Sequence, residues 1–108
     1  MAEKKIRISL AKSGKVTFVP YKVRISIDAQ DTVTLESATP FRVTRVRRRG
    51  KKRGAASGPF FRPFPRRGDP FRRRVNSGPA REGTRGTYKV SLLFQNRKKY
   101  DPIIIIDQ

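Results

Sequence analysis

The sequence predicts an all-β protein, a sandwich of about seven short strands with one long basic loop inserted. Three observations predict it. Apolar residues recur in period 2 at both ends of the 108-residue chain, which is the pattern of strands with one buried face. No window repeats apolar residues at i, i+3, i+4 and i+7, so no amphipathic helix is expected. Between Arg45 and Thr87 the period disappears, and 15 Lys/Arg stand against two acids, Asp69 and Glu82.

In the first strand Ile6, Ile8 and Leu10 alternate with Lys5, Arg7 and Ser9. Ser13-Gly14-Lys15 lacks the upstream glycine of a phosphate-binding loop and reads as a hairpin turn into Val16-Thr17-Phe18-Val19, which ends at Pro20. Tyr21, Val23, Ile25 and Ile27 then alternate with Lys22, Arg24 and Ser26. Asp28 and Asp31 flank a turn and are expected to fix it, because a calcium site would want more oxygen ligands. Thr32 to Glu36 and Phe41 to Thr44 follow as two strands separated by a turn at Ser37-Ala38-Thr39-Pro40. Past the basic segment, Tyr88, Val90, Leu92 and Phe94 alternate, and Ile103 to Ile106 form a continuous apolar run suited to a strand covered on both faces. Short strands joined by short turns imply antiparallel neighbours.

Residues 47–86 are expected to be a long loop or arm within a single domain spanning 1–108. They hold seven Gly and five Pro and almost no β-branched residues, a composition that cannot form its own core. The Arg45 to Thr87 stretch carries +13 of the formal +19, and the remaining 65 residues carry an ordinary +6.

The chain contains no Cys, His or Trp. That excludes disulfides, thiol nucleophiles, imidazole acid-base catalysis and Cys-ligated metals. The carboxylates Glu3, Glu36, Asp101 and Asp107 are scattered at strand ends, so no acid-base pair stands out. A non-enzymatic protein without a cofactor is expected. Met1-Ala2-Glu3-Lys4-Lys5 is not followed by an apolar run of signal-peptide length, and no stretch approaches the ~20 apolar residues of a membrane span, so a cytoplasmic location is expected.

The run Val16 to Leu35, with Phe18-Val19-Pro20 leading into an alternating strand and a turn closing on Asp31-Thr32-Val33-Thr34, resembles the front half of cupredoxin-like domains. Ser77-Gly78-Pro79, Gly86-Thr87-Tyr88-Lys89-Val90 and Asp101-Pro102-Ile103-Ile104-Ile105-Ile106-Asp107 resemble the back half of small uncharacterised bacterial members. Together these segments cover about two thirds of the chain. The resemblance implies a Greek-key sandwich, with the basic segment where the family has its long variable connection. It does not imply electron transfer. A blue-copper site needs two His, a Cys thiolate and an axial ligand that is usually Met, and the only Met here is Met1.

Function is therefore expected to lie in the basic segment. Arg predominates over Lys there, which favours bidentate phosphate contacts. Arg45, Arg47, Arg48, Arg49, Lys51, Lys52 and Arg53 form one candidate phosphate-binding cluster, and Arg62, Arg66, Arg67, Arg72, Arg73 and Arg74 a second. Phe60, Phe61, Phe64 and Phe71 are interleaved with them as candidate platforms for stacking on bases. The competing reading for these Phe is burial, since a loop crossing the open end of a sandwich would bury Pro-Phe pairs there. Dense cationic runs are costly by self-repulsion, so a polyanion partner, RNA or DNA, is the leading expectation. The alternative is an interaction or assembly module whose arm docks an acidic protein or an anionic membrane surface. The same run would pass as a nuclear-localisation sequence, and Arg67-Gly68-Asp69 is an integrin-type tripeptide; both arise easily by chance in so basic a chain.

Overall fold

The computed structural model describes residues 2–49, 59–62, 64, 70–94, 99–100 and 102–108. These residues are all-β, with eight strands: β1 (Glu3–Leu10), β2 (Val16–Val19), β3 (Lys22–Ser26), β4 (Thr32–Arg48), β5 (Arg72–Asn76), β6 (Gly86–Phe94), β7 (Lys99–Tyr100) and β8 (Ile103–Asp107). They form one mixed sheet in the order β2-β1-β4-β6-β8-β3, with β5 also on β4 and β7 on β6. Among the described residues no helix is long and apolar enough to cross a membrane.

β4 determines the shape. Its first part pairs with β1 and β5, and its second part, from Phe41, pairs with β6. One strand thus belongs to two halves of the sheet, β2-β1-β4-β5 and β4-β6-β8-β3, which fold over a common core into a nearly closed barrel. Ile6, Val33, Leu35, Val90, Leu92 and Ile104 are fully buried between them, each worth about 1.5–3 kcal/mol relative to exposure.

Three expectations are corrected here. First, Thr32 to Thr44 is not two strands around a turn. The chain stays extended through Ser37 to Pro40 and absorbs the irregularity as a shift of register between Glu36 and Phe41. The Ser37 hydroxyl accepts a hydrogen bond from the Thr39 amide at 3.1 Å, and Pro40, which has no amide hydrogen to donate to a ladder, falls inside the shift. Second, β1–β4 and β3–β8 are parallel. The antiparallel rule holds for the hairpin β1–β2, where Gly14 turns the chain at φ 88°, but β2 and β3 pair on different halves of the sheet although only Pro20 and Tyr21 separate them. Third, residues 47–86 are not one structureless insertion. Arg47 and Arg48 end β4, residues 72–76 form β5, and Gly86 opens β6. An edge strand such as β5 needs little apolar content: half-buried Val75 meets the core, and three exposed Arg keep its outer edge from pairing with other chains.

Asp31 behaves as its turn position suggested. Its carboxylate accepts hydrogen bonds from the Ser26 amide at 3.0 Å and the Ala2 amide at 2.9 Å, tying the start of β1 to the turn between β3 and β4. These amides, Ser26 first, hold its carboxyl below the ordinary range.

Candidate nucleic-acid interface

The second half of β4 would be an ordinary alternating strand but for one feature. Phe41 and Val43 face the core, and continuing the alternation would bury Arg45. A register shift between Val43 and Arg45 reverses the parity. Val46 then turns toward the core, while Arg45, Arg47 and Arg49 lie exposed on the outer side. The Arg49 amide extends the pairing by donating to the Thr87 carbonyl at 2.8 Å.

Cross-strand register carries this outer face over four strands. Arg47 pairs with Lys89, Lys89 with Ile103, and Ile103 with Lys22. One row across the sheet therefore holds three exposed cations and a buried isoleucine. In the next row Thr87 pairs with Ile105 and Ile105 with Arg24. Asp107, at the rim, forms an ion pair with Arg24 and is the acid on this face among the described residues. Arg47 and Lys89 stand directly opposite each other, an arrangement that costs stability in an isolated sheet.

Lys22, Arg24 and Lys89 were not singled out by the sequence, where they are merely the polar members of alternating strands. Their convergence with Arg45 and Arg47 depends on the pairing of β3 with β8 and of β8 with β6.

The other candidates divide. Arg48 leaves the outer face: its half-buried side chain crosses Gly86 so closely that a Cβ there would lie 2.8 Å from Nε, and its charge acts on buried Tyr88. Burial pushes the Tyr88 hydroxyl up, against the pull of Arg48 and Arg81. The Arg62 guanidinium lies over Gly78. Arg72, Arg73 and Arg74 sit on β5, in the other half of the sheet. Arg73 Nε donates to the Ala38 carbonyl at 3.0 Å, and Arg74 contacts Glu3 at 3.3 Å and Glu36 at 4.0 Å, so its charge is already answered. Lys51, Lys52, Arg53, Arg66 and Arg67 lie outside the described residues.

Two of the four candidate stacking residues are corrected. Phe60 and Phe64 are 2% and 5% exposed and pack edge to face at 5.4 Å in the core, so they have no free face for a base. Antiparallel contact between 59–61 and 79–81 holds them there: Phe60 bridges Ala80, Phe61 N donates to the Pro79 carbonyl, and Arg81 N donates to the Pro59 carbonyl. Phe71 is half-buried, with the Arg42 guanidinium 5.2 Å above its ring. Phe61 is 66% exposed.

Among the described residues no three His, Cys, Asp or Glu side chains stand close enough together to hold a metal ion. Beside β6 and β8 a shallow open groove of about 380 Å³ is lined by Arg85, Gly86, Thr87, Ile105, Ile106 and Asp107, continuing the cationic face toward its rim. No protein-family model matches the chain, and no curated protein matches it.

Proposed function

We propose that this is a non-enzymatic nucleic-acid-binding protein that takes RNA or DNA with little sequence preference, through cations carried on a copper-free, cupredoxin-like Greek-key scaffold. One observation carries the reading: Arg47 faces Lys89 across the sheet, in a row that continues to Lys22 with no acid in it. A fold that retains opposed like charges gains from a polyanion that neutralises both, since each neutralised phosphate also releases condensed counterion. The copper chemistry of the resembled family does not transfer, because the chain has neither the imidazole nor the thiolate donors that copper would need.

The reading is tested by charge substitution. Truncating 47–86 is no test, because it removes β5 and two core phenylalanines along with the cations. Nuclease-treated protein is titrated with labelled oligonucleotides over a range of salt. With about five phosphate contacts, the logarithm of affinity should fall with the logarithm of salt at a slope near −4.5, and Arg47→Gln with Lys89→Gln should make that slope about 1.8 shallower. Affinity indifferent to salt, or a double variant that binds like the native chain, would overturn the proposal. An oligomer that persists after nuclease treatment while oligonucleotides fail to bind would favour an assembly role instead.

A further inference from the structure

We infer that the cationic face is built for a duplex rather than for a single strand, a deepening that rests on the nucleic-acid reading above. The first argument is the arrangement of its cations. Arg45 and Arg47 on β4, with Arg49 just past its end, form one rail, and Lys22 and Arg24 a second on β3. The order β4-β6-β8-β3 puts three strand spacings between the rails, about 14 Å at ~4.8 Å each. Between them lie Thr87, Ser91, Ile103, Ile105 and Asp107, the last paired with Arg24, and Lys89 is the intervening cation among the described side chains. Two parallel cationic rows at that separation suit a ligand with two phosphate rows bordering a groove, and a B-form major groove is about 12 Å wide. A single strand offers one row and would leave one rail unanswered.

The second argument is what stands between the rails. Binding unpaired bases draws about 1–3 kcal/mol per base from stacking on aromatic rings. Among residues whose side chains are described, no aromatic ring occupies this face. Phe41, Tyr88 and Phe94 are buried, Phe71 lies beneath Arg42, Phe18 packs against Tyr21 beside β2, and exposed Phe61 sits on the 59–61 segment paired with 79–81. Among the described side chains the face offers cations for phosphates and no ring for stacking. Within each rail, alternate residues are ~6.8 Å apart, the axial rise of two phosphates along one strand of a duplex. Arg24 is further oriented by its ion pair with Asp107.

The experiment compares a DNA duplex, an RNA duplex of the same sequence and an oligothymidylate strand of equal length, by fluorescence anisotropy at one salt concentration with the full chain. The duplexes should bind at least about tenfold more tightly than the single strand. Removing either rail, by Arg45→Gln, Arg47→Gln and Arg49→Gln together or by Lys22→Gln with Arg24→Gln, should bring duplex affinity down toward that of the single strand, with thermal melts confirming that each variant is folded. The two duplex arms show which groove geometry is accepted. Single-strand binding equal to or tighter than duplex binding overturns this inference and leaves the nucleic-acid reading standing. A duplex preference that survives loss of one rail also overturns it. Failure of all three probes overturns both.

Discussion

The two outer faces of this sheet share a strand and differ in how their charges are answered. On the β2-β1-β4-β5 half, Lys5 contacts Glu3 at 4.0 Å, Arg7 contacts Glu36 at 3.7 Å, and Arg74 reaches both acids. Thr34 donates to the Glu3 carboxylate at 2.6 Å and accepts from Asn76 at 2.8 Å, completing a closed polar network. On the β4-β6-β8-β3 half, Arg45, Arg47, Lys89 and Lys22 share a face on which the described acid, Asp107, is engaged with Arg24. A net charge of +19 therefore says less than where two glutamates fall. Glu3, opposite Thr32, and Glu36, opposite Arg7, pair with Lys5, Arg7 and Arg74, whereas on the other face the described acid is Asp107 alone. Exposed ion pairs contribute little to stability, so the consequence is chiefly electrostatic: one face has several of its cations paired with acids, and the other has few.

This comparison presumes that both faces rest on one core, and the largest expected effect tests that. Phe60→Ala should lower stability by about 3–5 kcal/mol in chemical denaturation, with both halves melting together, because it empties a filled site in the shared interior. Separate transitions for the two halves would break the comparison at its root. Next, Arg45→Gln, Arg47→Gln and Lys89→Gln combined should weaken oligonucleotide binding by about 10²- to 10³-fold near 0.1 M salt, three phosphate contacts each carrying a slope near 0.9. Conversely, Glu3→Gln with Glu36→Gln should raise affinity about 2- to 5-fold at low salt, by releasing Arg7 and Arg74 on the acid-paired face.

Acid should sharpen the same contrast. The Thr34 hydroxyl, aided by Arg74 and Lys5, holds the Glu3 carboxyl below its ordinary 4.5. Its contribution to stability is therefore complete above that value and is lost as pH falls through the lower folded value. Melting temperature followed down from pH 6 should decline less steeply for Glu3→Gln than for the native chain, while Asp31, depressed by its own amides, retains part of the slope in both. The smallest effect is expected from Lys5→Gln with Arg7→Gln: less than about a twofold change in affinity, since both cations are already paired.

Strands with one buried side were legible because alternation is local. Ile6, Ile8 and Leu10 in β1, and Val23 and Ile25 in β3, declare their face without reference to any partner. β5 was not legible, because an edge strand with one inward Val and three Arg has the composition of a loop. Nor was the continuity of β4, since Ser37 to Pro40 has turn residues but is held extended by the neighbouring strands. The site was half visible for the same reason. Arg45 and Arg47 announce themselves as a charge run, whereas Lys22 and Lys89 acquire meaning only when β8 comes between β3 and β6. The adjacent Phe60 and Phe61 are identical residues with opposite fates, decided by pairing with Pro79 to Arg81.

The position of β8 bears on how the chain is made. β3 takes its ladder partner from β8, whose first residue is synthesised 77 positions after the last residue of β3. At ~5–20 residues per second that is a wait of roughly 4–15 s, during which β3 has no partner and β6 lacks one of its neighbours. By the end of that interval the nascent chain carries all of its Lys and Arg, on a backbone that cannot yet close. It meets the polyanions around the ribosome before it has a finished surface to offer them.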